Sequence, residues 1–209
     1  MDRKLGVGLP SMPGFSLNSA VDELLKKEFD LLREAGQAHG LMKQYGIDAI
    51  PFQHPEIEKW RENFVGISFV HQATNLEIFG AVDDVWVNKG GELLIVDYKS
   101  TSTKEEISLE SEYKQGYKKQ MEIYQWLFKM NGFRVSPTGY FVFANADKNL
   151  ARFDGKLVFE MSIIEHKGDM SWVEPTILAI HKCLNSDELP ECGDKCEHCA
   201  YRRAAGDFE

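Results

Sequence analysis

Hydrophobic and polar positions recur with two different periods along this chain, and the change of period marks out its elements. Between Ser16 and Gly36 the apolar residues Ala20, Val21, Leu24, Leu25, Phe29, Leu31 and Leu32 fall at helical spacing, which predicts an amphipathic helix with Ser16 or Asn18 as its cap. A less regular stretch follows to about Glu62, interrupted by Pro51 and Pro55. From Gly66 the bias turns to β-branched and aromatic residues. Segments 67–72, 76–87 and 92–98 predict three consecutive antiparallel strands, with Asn88-Lys-Gly-Gly91 as a hairpin turn. Helical spacing returns over 110–130 and stops at Asn131-Gly132. Segments 138–144 and 156–164 predict two more strands, and 172–183 a last helix. This order of elements is that of an α/β or α+β domain around a mixed sheet. The expected organisation is an arm over 1–15, one domain over 16–185 and a cysteine-containing tail over 186–209.

The strand over 92–98 breaks the usual pattern. Leu93-Leu-Ile-Val96 is apolar without alternation, as in a strand covered on both faces, yet it runs directly into Asp97 and Lys99. If the preceding turn is centred near Gly90, facing residues have numbers summing to about 180, which sets Asp83 opposite Asp97. Alternation points Asp97 and Lys99 to the same face. Two neighbouring carboxylates raise each other's pKa unless a cation neutralises them, and Lys99 balances only part of the pair. An all-oxygen site of this kind suits magnesium or manganese. Beside such an ion, a lysine can orient or deprotonate a water or stabilise charge on an attacked phosphate. The competing reading makes Asp97 and Lys99 a surface ion pair at the start of a loop.

Composition narrows the classes. The chain has 209 residues, 43% of them hydrophobic, enough for a sizeable core. A net charge of −9 argues against a protein that coats nucleic acid by bulk charge. Local basic groups remain at Lys114, Lys118 and Lys119 and at Arg202 and Arg203, where a solvated face is the plainer expectation. No apolar run approaches membrane-spanning length and no apolar segment follows Met1-Asp-Arg-Lys, so no membrane span or signal peptide is expected, and a cytoplasmic location is. All four cysteines lie within the last 27 residues, as Cys183, Cys192, Cys196 and Cys199. That is a local metal-site pattern rather than a disulfide framework.

Gly80-Ala-Val-Asp83 followed by Ile95-Val-Asp97-Tyr-Lys99 resembles the PD-(D/E)XK nuclease superfamily, and within it the RecB-like branch that includes CRISPR-associated adaptation exonucleases. The resemblance extends to a Gln-x-x-x-Tyr motif on the following helix, supplied by Gln120 and Tyr124. It implies a restriction-endonuclease-like αβββαβ core with a central mixed sheet flanked by helices. It further implies Asp83, Asp97 and the Tyr98 carbonyl as metal ligands, Lys99 as the catalytic lysine, and Gln120 and Tyr124 as residues that organise the site or contact DNA. Such relatives carry a metal-binding histidine on the first core helix; here the matching position in Asn18-Ser-Ala-Val-Asp22-Glu-Leu-Leu25 is Asp22, with His39 as rival.

Cys196-Glu-His-Cys199-Ala-Tyr-Arg202 resembles the C-terminal part of an iron–sulfur motif whose N-terminal cysteine segment this chain lacks, as a truncated frame or a natural short form would. Cys192, Cys196 and Cys199 could hold zinc, with Cys183 or His198 as a fourth ligand, or an iron–sulfur cluster, or be free thiols. Cys183 is expected to be buried on the last helix. The implied function is magnesium- or manganese-dependent hydrolysis of DNA. The alternatives are an inactive nucleic-acid-binding or scaffolding relative, and an interaction module acting through the tail cysteines.

Overall fold

The computed structural model describes residues 16–111, 114–188 and 190–206; the expected arm over 1–15 lies outside them. The first amphipathic segment forms α1 (Ser16–Ala35), followed by α2 (Gly40–Gln44), β1 (Ala49–Pro51) and α3 (Ile57–Arg61). A hairpin of β2 (Ile67–His71) and β3 (Leu76–Gly80) precedes β4 (Asp84–Asn88) and β5 (Leu93–Thr101). Then come α4 (Gln115–Met130), β6 (Thr138–Ala146), β7 (Phe159–Lys167), α5 (Val173–Leu184) and α6 (Glu197–Gly206). No helix among the described residues is long and apolar enough to cross a membrane.

A five-stranded sheet has the order β1-β4-β5-β6-β7. Its pairings are antiparallel except for β5 with β6, which run parallel and are joined by α4 as the crossover. The β4–β5 register pairs Asp84 with Val96 and Val87 with Leu93, so the numbers sum to 180 as expected. The unalternating run on β5 now has its cause, because helices cover both faces of the sheet. Leu94, Val96 and Tyr98 pack with Trp86 against Leu25 and Phe29 of α1. Leu93 and Ile95 pack with Val85 and Phe141 against Met121, Leu127 and Phe128 of α4. Burying these side chains stabilises the fold by roughly 1.5–3 kcal/mol each.

The three expected consecutive strands do not form one meander. The segment 76–87 breaks at Ala81-Val-Asp83, so that β2 and β3 make a separate two-stranded sheet. Two contacts force the break. The Val82 N–H donates to the Trp60 carbonyl at 3.0 Å, and Gly66 (φ +58°) approaches Gly80 so closely that a Cβ there would collide with the Gly80 carbonyl. The first strand of the αβββαβ core is instead β1, three residues within the stretch that reads as irregular.

Smaller differences have local causes. The helix expected from residue 110 starts at Gln115, while Leu109 is buried in the core without belonging to a helix. The strand expected over 156–164 is seated three residues later. Leu24 and Leu31 face solvent, so the buried stripe of α1 is narrower than its apolar residues imply. Cys183 is exposed rather than buried.

Candidate active site

The face of β5 that carries Leu93 and Ile95 continues into Asp97 and Lys99, because side chains alternate along a strand. At that end of the sheet, next to the parallel β5–β6 pair, a cleft of about 450 Å³ opens between α1, α4 and the 62–66 turn. Asp22, Asp83, Asp97, Tyr98, Lys99, Gln120 and Tyr124 all line it. Every residue expected at the carboxylate site therefore meets in one place.

Asp83 lies one residue before β4, where the ladder to β5 ends, and its Oδ2 accepts the Tyr98 N–H at 2.8 Å. Asp97, 2% exposed, has its Oδ2 in contact with Lys99 Nζ. That ammonium also lies 4.6 Å from the centroid of the Tyr117 ring, a cation–π contact that limits where the lysine can swing. On α1, Lys26 Nζ stands 2.8 Å from Asp22 Oδ2 and 3.6 Å from Asp83 Oδ1. Asp22 Oδ1 is buried without a hydrogen-bond partner. On α4, Gln120 Nε2 donates to the Tyr124 hydroxyl at 2.8 Å, and the absence of a side chain at Gly80 leaves room for the Tyr124 ring.

Burial pushes the Asp83 carboxyl up to about 7, with the Asp97 charge adding to it and Lys26 opposing. Burial also raises Asp97, against the pull of Lys99. Three carboxylates thus face two ammonium groups, and one carboxylate oxygen has no donor at all. The donor set fits a hard divalent cation: Asp22, Asp83, Asp97 and the Tyr98 carbonyl offer only oxygen, and the two lysines supply part of the positive charge the pocket demands.

His39 does not join them. Its Nδ1 accepts the Leu41 N–H at 2.9 Å, capping α2, and its ring stacks on Phe29.

Several residues of this region escaped the sequence reading. Lys26 could have been found as the residue one helical turn beyond Asp22. Behind the sheet, Asp84 is fully buried and its two oxygens accept from Arg33, Arg61, Tyr98 Oη, Trp86 Nε1 and the Val85 N–H. Arg61 also donates to the Asp83 carbonyl at 3.0 Å. The signal for this network was an acidic residue on the opposite face of a buried strand, together with Arg33 four residues beyond Phe29 on the buried stripe of α1. Phe64, also lining the cleft, had no such signal.

The tail forms a second cluster. The ligand atoms of Cys192, Cys196 and Cys199 lie within 4.8 Å of one another, and theirs is the one such trio of metal-ligating side chains among the described residues. A hydrogen bond from the Cys199 backbone N–H holds the Cys196 thiol low, whereas hydrogen bonding with the Cys192 and Cys196 thiols pushes Cys199 up to about 11. Soft thiolates at this spacing fit zinc or an iron–sulfur cluster.

A family model of the PD-(D/E)XK nuclease superfamily matches residues 15–204, from the start of α1 into α6. No curated protein matches the chain. Members of this superfamily are generally phosphodiester hydrolases that use magnesium or manganese. With its αβββαβ core and nearly its whole length matched, the chain belongs to the PD-(D/E)XK nuclease superfamily.

Proposed function

We propose that this protein is a magnesium- or manganese-dependent nuclease of the RecB-like branch that hydrolyses DNA phosphodiester bonds in the cleft at the end of β5. The observation that carries the reading is the pair formed by partly buried Asp83 and buried Asp97, whose carboxyls are raised by desolvation, with Lys99 touching one of them. Asp22, Asp83, Asp97 and the Tyr98 carbonyl would hold the ion. Bound there, it would polarise a phosphate and acidify water.

The other roles belong to the chain itself. Asp97 and the Tyr117 ring hold the Lys99 ammonium at the cleft, where it can donate a hydrogen bond to the attacking water or stabilise charge on the phosphate. The Tyr98 N–H fixes the Asp83 carboxylate. Gln120 and the Tyr124 hydroxyl form a polar edge on which the DNA backbone can rest. The tail cysteines, set apart from the cleft in sequence, hold zinc or an iron–sulfur cluster as a structural element; elemental analysis of protein purified without oxygen tests this.

Cleavage of linear, circular and single-stranded DNA with and without magnesium or manganese tests the main reading. Metal-dependent cleavage that disappears in Asp97→Ala and Lys99→Ala supports it, and equal cleavage by these variants and the parent overturns it. The bridging of Asp22 and Asp83 by Lys26 favours one competitor, a relative that binds nucleic acid without turnover. Calorimetric titration separates the two, since the competitor needs no divalent ion at Asp83 and Asp97.

A further inference from the structure

Phe64 is 91% exposed, and its backbone is in the left-handed region at φ +66°. Among the described residues, the only other non-glycine positions with positive φ are Asn75 and Asp154, residue types that tolerate this conformation. A bulky aromatic there carries backbone strain of about 1–3 kcal/mol, and its ring recovers almost nothing by packing. Two unfavourable features at one residue of the catalytic cleft call for a ligand that the ring meets.

The turn that carries the ring is fixed to the catalytic carboxylates. The Val65 and Gly66 N–H groups donate to the Glu62 carbonyl at 3.1 and 2.9 Å, closing the turn. Trp60, buried just before it, accepts from the Val82 N–H, and Arg61 Nε donates to the Asp83 carbonyl. Gly66 abuts Gly80 at the other end. Phe64 thus stands at a set position relative to Asp83, beside Asn63, which also lines the cleft.

We propose that Phe64 is a stacking platform for an unpaired nucleobase, which makes single-stranded DNA, or the frayed end of a duplex, the preferred substrate. The inference rests on the nuclease reading of the same cleft. A base inside a duplex has both π-faces covered by its neighbours and must first be unstacked to reach the ring, whereas an unpaired base offers its face freely. Stacking also answers an electrostatic difficulty. A chain of net charge −9 with three carboxylates in its cleft gains little from general phosphate attraction, whereas stacking works on any base.

The test uses the full chain carrying Asp97→Asn, so that bound DNA stays intact, and single-stranded oligonucleotides with 2-aminopurine placed at successive positions. One position is expected to show fluorescence quenching that is lost when Phe64→Ala or Phe64→Leu is added and retained with Phe64→Trp. In the cleaving parent, Phe64→Ala raises KM for single strands about ten- to a hundredfold and leaves KM for closed circular duplex, which has no end to fray, nearly unchanged. Phe64→Asn, which suits the left-handed backbone, loses quenching while its melting temperature stays level or rises; a merely structural ring would lower both together. Absence of quenching, or equal quenching and KM in Phe64→Ala, overturns the proposal even where DNA is cleaved. Quenching that depends on Phe64 in a parent that cleaves nothing sustains the stacking role and sinks the nuclease reading instead.

Discussion

Asp83 and Asp84 are neighbours in sequence and face opposite sides of one sheet, and their environments could hardly differ more. Asp84 accepts from five donors, two of them arginines that are themselves buried. Asp83 has one backbone N–H and a lysine at 3.6 Å, and shares its pocket with a second carboxylate that raises its pKa. Burial of an acid therefore does not by itself indicate function. An acid whose charge is fully matched by the protein holds the fold together, and one whose charge is left partly unmatched is available to something the protein must bind.

The contrast can be broken most forcefully from the cleft side. Asp97→Ala and Lys99→Ala are expected to lower cleavage by at least about four orders of magnitude, roughly 5 kcal/mol of barrier, while the urea midpoint of Asp97→Ala stays at or above that of the parent. Removing a repelled carboxylate does not destabilise, and a large loss of stability in Asp97→Ala would show that the pair is structural after all.

From the other side, Asp84→Ala strands Arg33 and Arg61 in the interior. It should cost about 3–5 kcal/mol of unfolding free energy, read by chemical denaturation. A neutral result would mean that the arginines find other acceptors, with Asp30, which already pairs with both, the first to check.

The pH dependence sharpens the comparison further. Because Asp83 has a folded-state pKa raised above its unfolded value, the native state holds a proton that the unfolded state has released. Stability from this group is present below about pH 4 and is lost as pH rises through about 7. A quarter of the side chain still meets solvent, so the expected loss in metal-free protein is roughly 2 kcal/mol. Asp83→Asn should flatten this slope between pH 4 and 7, and magnesium should reverse it; a slope unchanged in the variant would assign it to other groups.

The smallest effect belongs to the tail. Since α6 contributes no buried residue, replacing Cys192, Cys196 and Cys199 with serine should change core stability by less than about 0.5 kcal/mol while removing any bound zinc or iron.

How much of this was legible in the sequence depended on the range of the force involved. The β4–β5 register followed from local turn chemistry and alternation, and with it the meeting of Asp83, Asp97 and Lys99. The Gln120 and Tyr124 pair was implied by the resemblance, and helical spacing set the two on one face. The break at Ala81-Val-Asp83 was hidden because Trp60 and Gly66, which impose it, lie outside the strand they interrupt. Strand β1 was hidden because three residues carry no period. Phe64 was hidden for another reason: one exposed aromatic in a polar turn has no pattern to violate, and only its backbone angle and its place beside the cleft set it apart.

The near-contact of Gly66 and Gly80 has a meaning beyond the break it causes. The β2–β3 hairpin leaves the path of the main sheet and returns to it at adjoining points, with Ile67 paired to Gly80. The cost of closing such an excursion grows only with the logarithm of its length. The intervening loop can therefore lengthen or shorten, or be exchanged for a foreign segment, while the carboxylates keep their spacing. In an element whose two ends already touch, length is the property that the rest of the molecule leaves free to change.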